Sequence, residues 1–279
     1  MRADWPRDLL GASVVEPARA PDPGELPSIY EDGGFRVFSN QDRTVVQVDG
    51  TGSFAIEAGD RVEVALDAQA DDEIARAYLR TTVVAFLLAQ RQAIALHANA
   101  VEVNRGAVLI AGDSGAGKST TSAALLSRGH RHLADDLSVL RAREDVVTVE
   151  AATPGMRIAP ETAEAFGLDI TRAEGPDITG KLLLRHAMQP PRPVLAIVVL
   201  TATAGARPGI ARVRGAAAVS LIEGHVYRSW LLRRVWATQM FDWTADVVSR
   251  TTVHALERGD GEMTVEEVAD AVERVIAES

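Results

Sequence analysis

Residues 107–119 restrict what this 279-residue chain can fold into more than any other stretch. An apolar run, Ala107-Val108-Leu109-Ile110-Ala111, leads into Gly112-Asp113-Ser114-Gly115-Ala116-Gly117-Lys118-Ser119. Gly, four residues, then Gly-Lys-Ser is the pattern of a phosphate-binding loop between a strand and a helix. Glycines adopt positive φ and carry no Cβ, so backbone N–H groups can turn toward a polyphosphate. On this reading Gly112, Asp113, Ser114, Gly115, Ala116 and Gly117 wrap the phosphates of ATP and Lys118 neutralises the β and γ groups. The Ser119 hydroxyl holds Mg²⁺. The helix from Ser119 to Ser127, with Thr120 in its first turn, aims its positive dipole end at the same anion. The Ala/Leu-rich run after the loop supplies that helix, so the core is α/β.

A second signal needs no motif. Of 29 basic residues only Lys118 and Lys181 are lysine. A compact ammonium and a planar guanidinium are not interchangeable, so both lysines are read as chemistry-bearing positions.

Composition narrows the classes. The net charge is −10, pI near 5.1, and no stretch gathers Lys or Arg into a block, which argues against a nucleic-acid surface. There is no cysteine, which excludes disulfides and thiolate chemistry. Apolar runs such as Val83 to Ala89 are too short to span a bilayer, and Asp4, Pro6 and Asp8 interrupt the place where a signal peptide needs an apolar core. The expectation is a cytoplasmic protein with no membrane partner.

Residues 1–92 read as an N-terminal arm, a small β-meander and a helix. Residues 93–279 read as the catalytic domain, with one continuous domain over the whole chain as the alternative. Residues 1–30, rich in Pro and Ala, are assigned as an irregular lead-in. From Phe35 to Leu66 apolar residues alternate, as in short antiparallel strands. Asp71-Asp72 caps a helix running to about Gln92. Ile94 to Val103 reads as one strand carrying His97 and Asn99. After the loop helix, Arg131 to Ala134 forms a strand ending in Asp135-Asp136. In a right-handed strand–helix–strand unit that end opens at the edge bearing the loop. Adjacent carboxylates on a strand end point to opposite sides. One would hold Mg²⁺ and the other would face the acceptor. Leu195 to Leu200 reads as a strand buried on both faces. A helical region runs from Ala217 through Trp236, and a capping box, Thr264 to Glu267, opens the last helix.

His97, the loop, Arg128-Gly129-His130 and Ala134-Asp135-Asp136 together resemble the catalytic core of HPr kinase/phosphorylase over roughly residues 94–140. Pro154 to Pro160, Lys181 and His225-Val226-Tyr227-Arg228 resemble the shorter HPr-kinase-related serine kinases, including those that modify lasso-peptide precursors. The resemblance implies the phosphoenolpyruvate-carboxykinase-like nucleotide-binding fold, preceded here by a small β-rich region. It further implies Asp135 as general base on a serine hydroxyl, Asp136 serving Mg²⁺ with Ser119, and His97 beside Asp135 and the transferred phosphoryl group. Thr120 stands where the HPr enzymes usually carry an acidic residue, and their second Gly-rich signature has no clear copy, which leaves HPr as acceptor and reverse phosphorolysis open. The expected activity is ATP-dependent phosphorylation of a serine on a protein or peptide. Phosphorylation of a small molecule and a nucleotide-driven switch are the alternatives, and self-association stays open.

Overall fold

The computed structural model describes residues 6–104, 106–152, 154–177, 179–259 and 262–278. The first five residues of the lead-in, Arg105, Thr153 and Ile178 therefore lie outside the described residues. The protein is mixed α/β, in two compact units. One takes the residues up to Ile94 together with Arg228–Phe241; the other takes Ala95–Tyr227 and the residues from Asp242 onward.

The first unit holds β1 (Asp8–Leu9), β2 (Ala12–Val15), β3 (Ser28–Asp32), β4 (Phe35–Ser39), β5 (Arg43–Val48), β6 (Gly52–Glu57) and β7 (Arg61–Leu66), ordered β1-β2-β7-β6-β5-β4-β3. From β4 to β7 the strands form the antiparallel meander that period-two patterning predicts, and β3, which that patterning does not mark, extends it by one antiparallel strand. The lead-in is more structured than its composition suggests. Leu9, Ala12 and Val14 bury their side chains, β2 pairs in parallel with β7, and Pro21, Pro23 and Pro27 fall in the connection before β3.

Asp71 caps α1 (Asp72–Tyr78), its carboxylate accepting from the N–H groups of Glu73 and Ile74. The predicted helix does not run unbroken. Leu79–Val83 is a π-helical turn before α2 (Val84–Gln90), and the Thr81 hydroxyl donates to the Ala77 carbonyl at 2.6 Å, a side-chain bond that competes with the helix ladder. Phe86 of α2 is fully buried and packs on Trp236.

The predicted strand Ile94 to Val103 is two strands, β8 (Ile94–Leu96) and β9 (Ala98–Val103), with His97 at the break. Then follow β10 (Gly106–Gly112), α3 (Lys118–Ser127), β11 (Arg131–Ala134), β12 (Ser138–Arg143), β13 (Val146–Ala151), β14 (Met156–Ile158), α4 (Pro160–Ala165), β15 (Leu182–Leu184), β16 (Arg192–Thr201) and β17 (Gly209–Val213). The chain ends in α5 (Gly215–Gly224), α6 (Ser229–Arg250), β18 (Thr252–Glu257) and α7 (Val265–Ala277). The helical region expected from Ala217 through Trp236 is broken at 225–228, where Arg228 takes φ 55°. α7 carries the predicted capping box.

β10 pairs in parallel with β16 and β16 with β18, while β17 runs antiparallel to β18. β9 lies between β10 and β11, antiparallel to both. β11 therefore runs in the direction of β10, as the strand–helix–strand argument requires, but is not its neighbour. Four strand ends open at one edge: Gly112 of β10, Ala134 of β11, Thr201 of β16 and Glu257 of β18. Alternate residues of the sheet, among them Val108, Ile110, Val198 and Leu200, pack against Ala124 and Leu125 of α3 and Val268, Val272 and Val275 of α7. Each such aliphatic side chain contributes about 1.5–3 kcal/mol of burial, which makes the edge a rigid platform.

Candidate active site

The glycine-rich loop leaves β10 at Gly112, whose φ is 147° and whose backbone lies against β16. A Cβ there would stand 2.9 Å from the Leu200 carbonyl oxygen and 3.0 Å from the Ala116 Cβ. Gly115 and Gly117 also take positive φ, 84° and 97°. Asp113 and Ser114 are exposed, and Ala116, Ser119 and Thr120 are half-buried at the start of α3. Lys118 is buried. Its ammonium donates to the carbonyls of Gly112 at 2.8 Å and Asp113 at 3.2 Å and meets His97 Nε2 at 3.1 Å. Burial holds its pKa below the ordinary value, against the pull of Asp136.

An ammonium has three protons and no lone pair, so His97 Nε2 accepts and the ring is neutral with its proton on Nδ1. Burial, then Lys118, lowers the pKa of His97 accordingly. Its Nδ1 faces Asp136 Oδ1 at 3.9 Å, beyond hydrogen-bond distance. A carboxylate thus lies near His97, that of Asp136, next in the chain to Asp135, which the family resemblance puts beside His97. Asp136 adopts φ 58°, so its side chain leaves the line of β11.

Asp135 turns inward. It is 8% exposed; Oδ2 accepts the Arg157 N–H at 2.8 Å, and Oδ1 is buried with no hydrogen-bond partner. Burial, then the neighbouring Asp136, pushes its pKa up to about 7, with the Arg157 N–H and the Lys181 charge opposing. Lys181 thereby comes within electrostatic reach of Asp135, His97 and Lys118. Asp177 sets the turn before it, accepting from Thr179 N–H and hydroxyl and from Lys181 N–H, and its other oxygen lies 3.5 Å from Arg157 Nη1.

Several contributors escape a motif search. Buried Asn99 ties the two halves of the site: its Oδ1 accepts the Asp136 N–H at 3.3 Å, and its Nδ2 donates to Ser122 Oγ, which donates to the Lys118 carbonyl. The break between α5 and α6 pairs with the break at His97. His97 N–H donates to the His225 carbonyl and Tyr227 N–H to the Ala95 carbonyl, both at 2.8 Å, and the Tyr227 ring packs on His97. His225 is itself half-buried, its pKa lowered by burial, with Asp113 favouring the charged form and Lys118 and His97 opposing it. The segments 154–160 and 225–228 carried a signal for Arg157 and His225. Nothing in the sequence marks Asn99 or Asp177 by spacing.

Among the described residues no group of three or more His, Asp or Glu is placed to hold a metal ion, and no helix is long and apolar enough to cross a membrane.

Residues 88–158 match the family model described as HPr Serine kinase C-terminal domain. Over 44 residues the chain is 59% identical to HPr kinase/phosphorylase of Treponema pallidum, a stretch covering 16% of this chain and 14% of that protein. Over 113 residues it is 37% identical to HPr kinase/phosphorylase of Listeria welshimeri, covering 38% of this chain and 35% of that one. The chain thus spans 35% or less of the length of these curated relatives. The solved Hpr(Ser) kinase/phosphatase from Coxiella burnetii aligns with 66% of this chain and 99% of its own, at 15% identity and a TM-score of 0.33, too loose a likeness to carry an argument.

Proposed function

Residues 88–158 are HPr-kinase-like, and from that premise we propose that the protein is an ATP-dependent kinase transferring phosphate to a serine hydroxyl of a protein or peptide. One observation carries the reading. Asp135 leaves one carboxylate oxygen buried and unpartnered at the edge bearing the loop, with a pKa near 7. A general base is most effective when its pKa lies near the working pH. Asp135 would take the proton of the acceptor hydroxyl as that hydroxyl's oxygen bonds to the terminal phosphorus and the bond from this phosphorus to the β-phosphate oxygen breaks, releasing ADP. The strand end excludes bulk water from that oxygen, and the Arg157 N–H fixes its direction.

The residues present fit a magnesium nucleotide. The positive-φ glycines at 112, 115 and 117 and the buried Lys118 ammonium form the cradle, and a Cβ at Gly112 would press on the Leu200 carbonyl of β16 and the Ala116 Cβ and displace it. The core would then be of the phosphoenolpyruvate-carboxykinase-like type, with residues 112–120 around the phosphates. Ser119 and Asp136 would hold the Mg²⁺, two protein oxygens being enough for an ion that keeps waters and phosphate oxygens as its other ligands. Bound there, Mg²⁺ and the nucleotide supply the phosphoryl group and neutralise its charge. Lys118 adds positive charge over the loop, His97 holds Lys118 and stays neutral, and Lys181 offsets the paired carboxylates. Such a reaction calls for a cytoplasmic setting, where ATP is supplied.

The test is label transfer from γ-labelled ATP to candidate proteins and to peptides encoded beside the gene, with Lys118→Ala as control. We expect labelled serine with the parent and a fall of roughly 10² or more with the variant, as for loss of a preorganised charge. Labelled small molecules, or ATP turnover with no labelled acceptor, would replace this reading by one of its alternatives.

A further inference from the structure

β10 and β11 deliver the loop and Asp135 to the shared edge, and β18 delivers Arg258. The Arg258 N–H continues the ladder between β16 and β18, donating to the Thr201 carbonyl at 2.9 Å, so its backbone is fixed by the sheet. From there the guanidinium reaches under the loop, and Nη1 donates to the Ala116 carbonyl at 2.7 Å. A Cβ on Gly117 would stand 2.8 Å from the same nitrogen. Absence of a side chain at Gly117 is thus what lets the guanidinium in, besides the φ of 97° that position requires.

The neighbouring acid does not compensate this charge. Glu257 turns to the other side, accepting from the Thr203 N–H and hydroxyl, the Thr201 hydroxyl and the Gly259 N–H. Among the described residues no carboxylate pairs with Arg258, and its Nε is buried without a partner. A loop that binds an anion through N–H groups must keep its carbonyl oxygens turned away, because each carries partial negative charge. A charge-assisted bond to one of those carbonyls holds it outward.

We propose that Arg258 is the positioning residue of the nucleotide loop: it anchors the Ala116 carbonyl away from the phosphates and adds its own positive charge beneath them. The inference rests on the nucleotide-kinase reading above. The bond to Ala116 exists before any chemistry, so its loss weakens nucleotide binding rather than the transfer step.

The experiment pairs steady-state kinetics with ADP binding by calorimetry for the parent, Arg258→Gln and Arg258→Lys, with a thermal melt of each free protein. Arg258→Gln should raise the KM for MgATP and the Kd for ADP together, by roughly tenfold, with kcat within about threefold of the parent. Arg258→Lys keeps a charge and a donor and should show a smaller rise in both. It also carries the test if the glutamine variant does not fold. Unchanged Kd in the folded variants, or a fall in kcat at unchanged Kd, overturns the assignment while leaving the kinase reading in place. A parent that binds neither ADP nor ATP removes the kinase reading, and Arg258's role with it.

Discussion

Asp135 makes the free protein sensitive to pH in a direction opposite to that of a salt-bridged carboxylate. An ordinary Asp titrates near 3.9, and here burial and Asp136 push the folded value up to about 7. Below about pH 4 both states hold the proton and the position costs nothing. Between 4 and 7 the unfolded chain releases its proton first, so stability falls as pH rises; above 7 the loss is complete. Without nucleotide or divalent cation, Asp135→Asn should therefore melt several degrees above the parent at pH 8. The gap should close by pH 4 to 5, at about 2–4 °C per kcal/mol for a protein of this size. A gap that stays constant across that range means that Asp135 titrates as an ordinary carboxyl. At Lys181 the question is shape rather than charge. Its ammonium acts on Asp135, His97 and Lys118, and a larger, planar guanidinium would keep the charge and misplace it. Lys181→Arg should lower transfer by about tenfold, on the order of 1.4 kcal/mol of transition-state stabilisation, with melting unchanged. Kinetics equal to the parent's would strike Lys181 from the site.

At the scale of elements, the site is made where regular structure stops. β8 ends just before His97, α5 just before His225, and the two interruptions pair through backbone bonds, so each interruption supplies the partners that the other lacks. β9 reaches across from that break to separate β10 from β11 and carries Asn99, which bonds to both flanking segments. The loop depends on an equally close approach. With φ 147° and the Leu200 carbonyl 2.9 Å from where a Cβ would stand, Gly112 has no room for alanine. Gly112→Ala should cost about 1–3 kcal/mol in chemical denaturation and reduce nucleotide affinity as well. Full stability in that variant would mean that β16 can retreat from the loop, against the packing of both strands.

For the whole molecule, what could be read in advance was whatever local chemistry dictates. The loop, the meander from Phe35, the cap at Asp71 and the capping box at Thr264 each announce themselves within a few residues. Contacts made by distant segments do not: Arg157 reaches Asp135 by a backbone N–H, any residue type could donate that bond, and no spacing encodes it. The same holds for β2, whose partner β7 lies far along the chain, and for β17 and β18, which are half exposed and show no clean alternation. The first unit is discontinuous. Arg228–Phe241 brings it Trp236 against Phe86 and Trp230 against Tyr30. A fragment ending at Ile94 should accordingly show no cooperative melt by circular dichroism; a sharp transition would prove that the helical segment is dispensable. That discontinuity also sets an order of events during synthesis. The ribosome emits residues at about 5–20 per second, so roughly 150 residues, or about 7–30 seconds, separate the exit of Ile94 from that of Phe241. For that interval the N-terminal sheet waits without its last helix, Phe86 uncovered by Trp236, and the nascent chain offers chaperones an aromatic surface that the finished protein hides.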